Sequence, residues 1–507
     1  MLCVAALSAC GGGSDEHEQA LSADAEAREQ ATQVLGWTAG STACDHATGR
    51  VLDVGPGKAY AKPSAAAAAA QPGDVIRIAK GDYHGDVATW NDDDLTICGV
   101  GGRARLFAQG KSAQGKAIWV VSGRNITIDS VEFHQTKVKD RNGAGIRAEH
   151  TGKMLIRNSG FFDNQAGILG AKGTAEVEIE GSEFARNGYG DGYSHNLYIG
   201  NAARLTVRSS YFHQAKVGHN LKSRAAINTI ENSYFMDGSG GTSSYLADFP
   251  DGGHVFLRGN LFHKGPKAQN PTAISYGAER HTWSKNQLVL RHNTVVMTRP
   301  GGYFLRAPSY TSSVALTGNV LAGTNNPGLI TGGFPLSQVV QKGNVITQAS
   351  HFPGASNTTA PNFWPANSLL PALALNQVLD PAYLKDAPKP YEGRTLVGAA
   401  RLSGALQSHP GAPAPSEPVV SPTPVAPPPV VVSPDPVRSP EPVVSPAPVA
   451  PPPPVVSPEP VRSPLPVVSP EPVRSPQPVV SPAPVRSPQP VVAPEVVEPP
   501  VRSRPIR

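Results

Sequence analysis

Short apolar stretches separated by polar and small residues run through most of the chain, and one phrase recurs among them. The phrase is a β-branched residue or leucine, two polar or small residues, a serine or asparagine, any residue, and then a phenylalanine or aliphatic residue. It occurs eight times between Val131 and Asn319, once with Val131 in the serine position. Its last residues, about 23 to 33 positions apart, are Phe133, Phe161, Phe184, Phe212, Phe235, Phe262, Val295 and Leu321. This period predicts a solenoid.

The stretches are β-rich, are punctuated by Gly, Asn and Asp, and lack a sustained helical period, which excludes helical repeats. We therefore predict an all-β fold, a right-handed parallel β-helix whose coils stack about 4.8 Å apart. The Ile and Phe side chains of the phrase should point inward. Its Ser or Asn position should form a corner, where a small polar side chain tolerates left-handed or bridge backbone angles and hydrogen-bonds along the stack.

The alanine run 65–70 predicts a short helix, and Ser64 is placed to cap it. The end of a solenoid exposes unpaired backbone and apolar side chains. We therefore predict that this helix lies across the first coil as an N-terminal cap.

Proline and glycine, 52 and 51 of the 507 residues, are concentrated in different places. Glycine punctuates the repeats, whereas most prolines follow Ala400, in hexads such as S-P-E-P-V-R at 469–474. Proline at this density forbids helix and sheet ladders and favours polyproline II. Residues 401–507 should therefore form a disordered spacer that reaches a cell-wall or periplasmic partner; the alternative is a ligand for proline-binding modules.

Charge and hydropathy exclude two classes of partner. The net charge of +5 is small for this length and no basic stripe is present, so the sequence predicts no nucleic-acid binding. No run of about 18 apolar residues is present either, so no segment is predicted to span a bilayer.

The segment 7–10, L-S-A-C, followed by three glycines, resembles the lipobox of bacterial lipoproteins. The resemblance implies a signal at 1–10, a lipid on Cys10, and a secreted protein anchored in the cell envelope at the outer membrane or facing the periplasm. The remaining chain divides into a flexible tether at 11–45, the β-helix domain at 46–400 and the tail at 401–507. In an oxidising compartment Cys44 and Cys98 either form a disulfide or remain two buried thiols.

Several phrases between about residues 50 and 400 resemble those of secreted bacterial right-handed β-helix repeat proteins of the pectate-lyase-like superfamily. They include V-G-P-G-K-A-Y at 54–60, L-T-I-C-G-V-G-G-R-A at 95–104, S-H-N-L-Y-I-G at 194–200 and G-H-N-L-K-S-R-A at 218–225. The stretch 393–399 resembles their closing strand. The resemblance implies the fold and leaves the reaction to be argued from the residues.

Strand parity predicts a groove on one face of the solenoid. Alternate residues share a face, so Leu221 and Ser223 inward would place Lys222 outward, with Tyr198 over it one coil earlier. The groove should be lined by His195, Asn196, Tyr198, His219, Asn220, Lys222 and Arg224, with Arg147 extending the same outward column. Asp248, Asp251, Tyr276, Glu279 and His281 should lie close to the same side.

These residue types suit the chemistry of a polysaccharide lyase. The enzyme removes the proton next to a uronate carboxylate and expels the glycosidic oxygen, so it needs a base and groups that neutralise the carboxylate. The Lys222–Ser223 step is similar to that of the alginate lyase and chondroitinase B family, in which a strand lysine is the base. Crowding by Arg224 should favour the neutral form that a base requires.

The other groove residues receive roles by the same argument. We expect Tyr198 or His219 to act as the acid, and Arg224, with Asn196 and Asn220, to neutralise the carboxylate. Substrate binding is assigned to His195, Asn196, Asn220, Arg147 and Asp248. That family holds calcium with an Asn/Glu cluster, but the matching positions here carry imidazoles and amides, which suit Ca²⁺ poorly. We therefore expect no cofactor, with calcium at Asp248 and Asp251 as the alternative.

Two other functions compete with a lyase on this fold. Glycoside hydrolysis needs a carboxylic acid opposite a carboxylate, and the polygalacturonase pattern of N-T-D, D-D, G-H-G and R-I-K is not reproduced in order. An envelope-associated lyase that acts on an anionic polysaccharide by β-elimination is therefore favoured over a hydrolase. The alternative is a non-catalytic surface protein that binds polysaccharide or cell wall, because the fold alone does not decide.

Overall fold

The computed structural model describes residues 41–149, 152–170, 173, 175–380, 383–384, 396–398 and 400–407. The predicted lipid attachment at Cys10, most of the predicted tether and nearly all of the predicted tail lie outside the described residues. Across the described ranges, every helix is too short or too polar to cross a membrane.

The chain winds into an all-β parallel solenoid of about eleven turns, with three stacked faces. The first face contains Val51–Val54, the start of Val75–His84 and of Thr96–Phe107, Ile126–Asp129, Lys153–Arg157, Glu176–Glu180, Arg204–Arg208, Ile227–Glu231, His254–Arg258, Gln287–Arg291, Ser313–Thr317 and Val340–Lys342. The second contains the ends of those two long strands, Val131–His134, Gly160–Phe162, Glu183–Ala185, Tyr211–His213, Tyr234–Met236, Leu261–Lys264, Thr294–Met297, Val320–Gly323 and Val345–Gln348. The third contains Ala88–Trp90, Ala117–Val121, Ala144–Ala148, Ala166–Gly170, Leu197–Ile199, Leu221–Ser223, Ala247–Phe249, Thr272–Tyr276, Tyr303–Arg306 and Gly328–Thr331.

The recurring phrase sets the register of the core, as predicted. Its eight last residues pair in one continuous column of the second face and all are buried. Successive phenylalanine rings from Phe133 to Phe262 stack with centroids 4.5 to 5.0 Å apart. One coil therefore fixes the position of the next through side chains as well as through backbone hydrogen bonds.

The serine and asparagine position of the phrase forms the predicted corner column. Ser159, Ser182, Ser210 and Ser233 accept hydrogen bonds from the preceding coil's backbone, and Asn260, Asn293, Asn319 and Asn344 continue the column. The left-handed backbone angles fall on the residue just before this position, for example Asn158 at φ 45° and Asn232 at φ 50°. The polar side chain thus closes a turn that its neighbour makes.

A helix at Pro63–Ala67 follows the first strand, with Ala66 fully buried. Its N-cap is Lys62 and Pro63 occupies the first turn, so the expectation that Ser64 caps it is wrong. The backbone N–H of Ser64 instead donates to Asp86. The remaining short elements are the 3₁₀ turns Ala43–Asp45, Leu336–Gln338, Ala349–His351 and Asn367–Leu369, the helix Leu370–Leu373, and the antiparallel pair Tyr383–Leu384 and Leu396–Gly398.

Both ends of the folded region extend past the predicted boundaries of 46 and 400. Cys44 is joined to Cys98 by a disulfide with Cα atoms 6.0 Å apart, and the backbone N–H of Ala43 donates to buried Asp129 at 2.8 Å. At the other end Leu402 and Ala405 are buried against the second face. The repeat phrase describes only the coils, and the segments that cover the coils do not contain it.

Candidate functional site

An outward column on the third face carries the predicted groove. Strand pairing places Tyr198 beside Lys222 and Lys222 beside Asp248, as parity predicts. The same column runs back through Leu169 to Arg147. Inward neighbours such as Leu197 and Leu221 are fully buried. Three consecutive coils thus present a phenol, an ammonium and a carboxylate in one row.

Asn196 and Asn220 do not line this groove, because both are fully buried. The side chain of Asn196 donates to Oδ1 of Asn220 at 2.7 Å and accepts from Asn187 at 2.8 Å, in a second asparagine column at another corner. Residues that precede the strand belong to the corner and do not continue the strand's alternation. Tyr276 is likewise buried, and its hydroxyl donates to the Gly253 carbonyl at 2.6 Å.

The centre of the groove is the Glu279 carboxylate, which bridges two cations. Its Oε1 accepts from Lys222 Nζ at 2.7 Å, and its Oε2 accepts from the Arg224 guanidinium. The Arg224 Nε donates to the Tyr198 hydroxyl at 3.2 Å, and the same guanidinium also pairs with fully buried Asp251. Two cations therefore converge on one carboxylate, whose side chain is 44% exposed, and a phenol contacts one of the two cations.

The pKa shifts in the cluster follow from these contacts. Burial opposes ionisation of Glu279, but the hydrogen bonds from Lys222 and Arg224 outweigh it and lower its pKa to about 2. Burial likewise disfavours the charged guanidinium, yet Glu279 and Tyr198 raise the pKa of Arg224. Both groups are therefore fully charged at neutral pH.

The surroundings of Lys222 differ from those expected of a crowded base. Its Nζ lies 2.7 Å from Glu279 and 3.6 Å from Asp248, so the nearest charges are carboxylates. Lys222 is therefore held in ion pairs with two carboxylates. In the sequence, Arg224 is the charged residue close to Lys222, two positions away. Glu279 comes from a loop two coils further along, so its contact with Lys222 is not evident from the sequence.

Two histidines flank the cluster. The His219 Nδ1 lies 3.0 Å from Asp248 Oδ2, within hydrogen-bond distance but without the alignment of a hydrogen bond. The His195 Nδ1 accepts the backbone N–H of His219 at 3.0 Å. Burial, and then the proximity of His219, Lys222 and Arg224, lowers the pKa of His195 well below its ordinary value. His195 is therefore neutral and carries its proton on Nε2.

Other predicted residues lie at the margin of the groove or outside it. Arg147 is three coils from Lys222, roughly 14 Å at 4.8 Å per coil, and its Nε donates to Glu149 at 2.7 Å. The His281 ring stacks on Tyr310 with centroids 4.5 Å apart. Among the described residues, no three or more His, Cys, Asp or Glu side chains form a group that could hold a metal ion. A calcium requirement therefore stays a question for experiment.

Sequence reasoning missed two features beside the cluster. Arg280 Nη2 pairs with Asp251 at 3.1 Å, so it shares the carboxylate that holds Arg224. A loop at 188–195 forms one wall of a cavity next to His195 and Tyr198. The run Y-G-D-G-Y at 189–193 was the available signal, because tyrosines among glycines in a solenoid corner indicate a loop that leaves the coil.

Comparisons with known proteins give the following. Residues 116–360 match the family model described as "Right handed beta helix region". No curated protein matches the chain in sequence. The solved structure of pectate lyase Pel9A is similar at 15% identity and a TM-score of 0.46, over 72% of this chain and 97% of that one. An alginate lyase from Paenibacillus sp. str. FPU-7 is similar at 16% identity and a TM-score of 0.43, over 57% of this chain and 99% of that one. Over residues 116–360 the chain is therefore similar to a right-handed β-helix region, and its stacked coils form an all-β parallel solenoid of about eleven turns.

Proposed function

We propose that the groove around Lys222 and Arg224 is the active site of a polysaccharide lyase that cleaves a uronate-containing polysaccharide by β-elimination. The observation that carries the proposal is the position of Glu279, whose carboxylate is held by Lys222 and Arg224 together. A site that already holds one carboxylate with two cations provides what a uronate carboxylate needs. In the bound state the uronate takes the place of the partly exposed Glu279 side chain.

Neutralising the uronate carboxylate makes the proton at C5 acidic. Arg224 is suited to this role because Asp251 and Tyr198 hold its guanidinium in place and it stays charged. Lys222 supplies the second positive charge. Its carboxylate neighbours favour this role over that of the base expected from the sequence.

We assign the base to His219. Asp248 Oδ2 lies 3.0 Å from Nδ1, which favours a proton on Nδ1 and leaves Nε2 to accept one. The proton from C5 passes to Nε2, the C4=C5 double bond forms, and the C4–O bond breaks. The leaving oxygen takes a proton from Tyr198, whose hydroxyl accepts from Arg224 and so has its own hydrogen free to donate.

Hydrolysis suits the cluster less well. It requires one carboxyl group that stays protonated to act as the acid. Glu279, with a pKa of about 2, is ionised, and Asp248 and Asp251 lie against cations. Glu279 is therefore unsuited to act as the acid at neutral pH, and Asp248 and Asp251 are already engaged in ion pairs.

Single substitutions separate the roles. His219→Ala and Tyr198→Phe should each lower kcat by about 10²- to 10⁴-fold on a uronate polymer and leave polymer retention in affinity gels largely unchanged, because acid and base act in the transition state. Lys222→Ala and Arg224→Ala should weaken retention as well. Lys80→Ala, at an exposed lysine of the strand Val75–His84 outside the third face, is the matched control. If Lys222→Ala abolished turnover with full retention while His219→Ala stayed active, Lys222 would be the base.

We further propose that a lipid on Cys10 holds the protein in the cell envelope, where extracellular polysaccharide is accessible. The support is the lipobox-like sequence alone. Cys10→Ala should move the protein from the membrane fraction to the soluble fraction. A wild-type protein that is already soluble with an intact N-terminus would contradict the anchor.

A further inference from the structure

A cavity of about 190 Å³ opens beside the Lys222 site, towards the lower-numbered coils. Its lining includes Asp140, Leu169, Asp191, Tyr193, His195 and Tyr198. Leu169 and Tyr198 belong to the outward column that contains Lys222, two coils and one coil away. The cavity and the proposed active site therefore share a wall, and a polymer in the groove would enter both.

The loop that walls the cavity is held at its base by the buried asparagine column. Asn187 and Asn196 lie at the two ends of this loop, and the Asn187 backbone N–H donates to Asn196 Oδ1 at 3.1 Å. Within the loop the Tyr189 N–H donates to Ser194 Oγ at 2.7 Å, and the Tyr193 N–H donates to Asp191 at 3.1 Å. The loop is thus formed before any ligand binds, which lowers the entropic cost of binding.

The loop carries two tyrosines whose rings are exposed and not packed in the hydrophobic core. Tyr193 is 88% exposed and Tyr189 is 47% exposed, with the Arg141 guanidinium 4.8 Å from the Tyr189 ring centroid. An exposed flat ring bordered by polar groups binds a ligand that has an apolar face and polar edges. A pyranose ring has this shape. The Nε2–H of neutral His195 is a donor available to a sugar hydroxyl.

The charge of the cavity differs from that of the active site. Asp140 and Asp191 line it; Asp140 also pairs with Lys116 at 3.1 Å, and the lining cation Arg141 lies over Tyr189. A second uronate placed here would bring its carboxylate beside that of Asp191, which costs free energy in a partly enclosed site. An uncharged sugar meets no such penalty.

We propose that this cavity is a subsite for a neutral hexose, and that the substrate alternates uronate with uncharged sugar. The inference rests on the proposed lyase function of the adjacent groove. Because the cavity shares Tyr198, the proposed acid, the neutral sugar occupies the leaving-group side. After cleavage it carries the new reducing end, while the uronate carries the C4=C5 double bond.

The test compares polyglucuronate with an alternating copolymer of glucuronate and glucose. Wild type should cleave the copolymer with a kcat/KM at least about tenfold higher. Tyr193→Ala should raise KM for the copolymer about tenfold, the loss of about 1.4 kcal/mol of binding, with kcat unchanged, and should raise KM for polyglucuronate less. Tyr303→Ala, at an exposed tyrosine of the same face beyond the cavity, is the matched control and should leave the kinetics on both substrates unchanged.

The outcomes separate the subsite from the lyase. Equal rates on the two polymers, or a Tyr193→Ala effect of equal size on both, would overturn the neutral-sugar assignment while leaving the lyase intact. If neither polymer is cleaved, the lyase proposal fails, and retention in gels containing the copolymer decides the subsite. Retention that Tyr193→Ala removes and Tyr303→Ala preserves supports the subsite; unchanged retention in both variants overturns it.

Discussion

Two histidines of the second-face region, His263 and His292, are buried and neutral. Burial lowers the pKa of each to about 4. In the unfolded chain a histidine titrates near 6.5, so between pH 6.5 and about 4 the unfolded state binds more protons than the folded state. The free energy of unfolding must therefore decrease as the pH falls through this window, by on the order of 3 kcal/mol for each residue.

Replacing His263 by Asn should reduce this acid sensitivity. Asn keeps an acceptor near the position of Nδ1, which accepts the Gly238 N–H at 3.2 Å, and removes the titrating ring. We expect a lower free energy of unfolding at pH 8, from the lost packing, and a shallower decrease between pH 6.5 and 4. Urea unfolding over that range measures both. Equal slopes for variant and wild type would show that His263 does not titrate as a buried neutral group.

At the residue scale the sequence predicts side chains within strands better than those at corners and in loops. Tyr198, Lys222 and Asp248 align as strand parity requires. The prediction that Asn196 lines the groove is wrong because the alternation of inward and outward side chains ends where the strand ends. Glu279 lies on a loop, and no repeat in the sequence describes the path of that loop. Its ion pairs with Lys222 and Arg224 therefore become visible only in the structure.

At the scale of the element, the corner column is the feature that the phrase predicts most fully. Asn293 shows how it works: its Oδ1 accepts from the Asn260 backbone, and its Nδ2 donates to Asn319 and to the Leu257 carbonyl. Earlier coils carry serine at the same position. The serine hydroxyl donates to one backbone carbonyl, whereas each asparagine also donates to the asparagine of the next coil. Both residues provide hydrogen-bond partners for the backbone at the corner, and asparagine makes more of these bonds than serine does.

Asn293→Ala should therefore lower the free energy of unfolding by about 2–4 kcal/mol, because it leaves buried backbone groups without partners. Asn293→Ser should cost less, since serine is the chain's own alternative at this position. Chemical denaturation of the two variants beside wild type gives the order. An alanine variant as stable as the serine variant would mean that the column contributes packing and not hydrogen bonds.

At the scale of the whole molecule, the ends of the solenoid depend on segments outside the repeat. The Gly404 N–H donates to the Gly318 carbonyl at 2.7 Å, and the Ser403 hydroxyl donates to the Gly343 carbonyl at 2.7 Å. Composition marks the proline-rich tail, but it does not distinguish these covering residues from a linker.

A fragment of residues 41–407 should melt cooperatively, with β-rich circular dichroism. A fragment ending at 400 should melt several degrees lower, because it exposes the second-face residues that Leu402 and Ala405 cover. A fragment beginning at 46 should also be less stable, since it loses the cross-link between Cys44 and Cys98. Equal melting temperatures for the three fragments would contradict the structural role of these ends.

We propose that the groove around Arg224 and Glu279 cleaves a uronate-containing polysaccharide by β-elimination and not by hydrolysis. Purified protein is incubated with uronate-containing polysaccharides, with and without a calcium chelator, while ultraviolet absorbance and product masses are followed. Elimination gives rising absorbance from the conjugated C4=C5 bond and products whose summed mass equals that of the polymer. Saturated products that have gained water, or retention of every polymer without any cleavage by wild type, would contradict it.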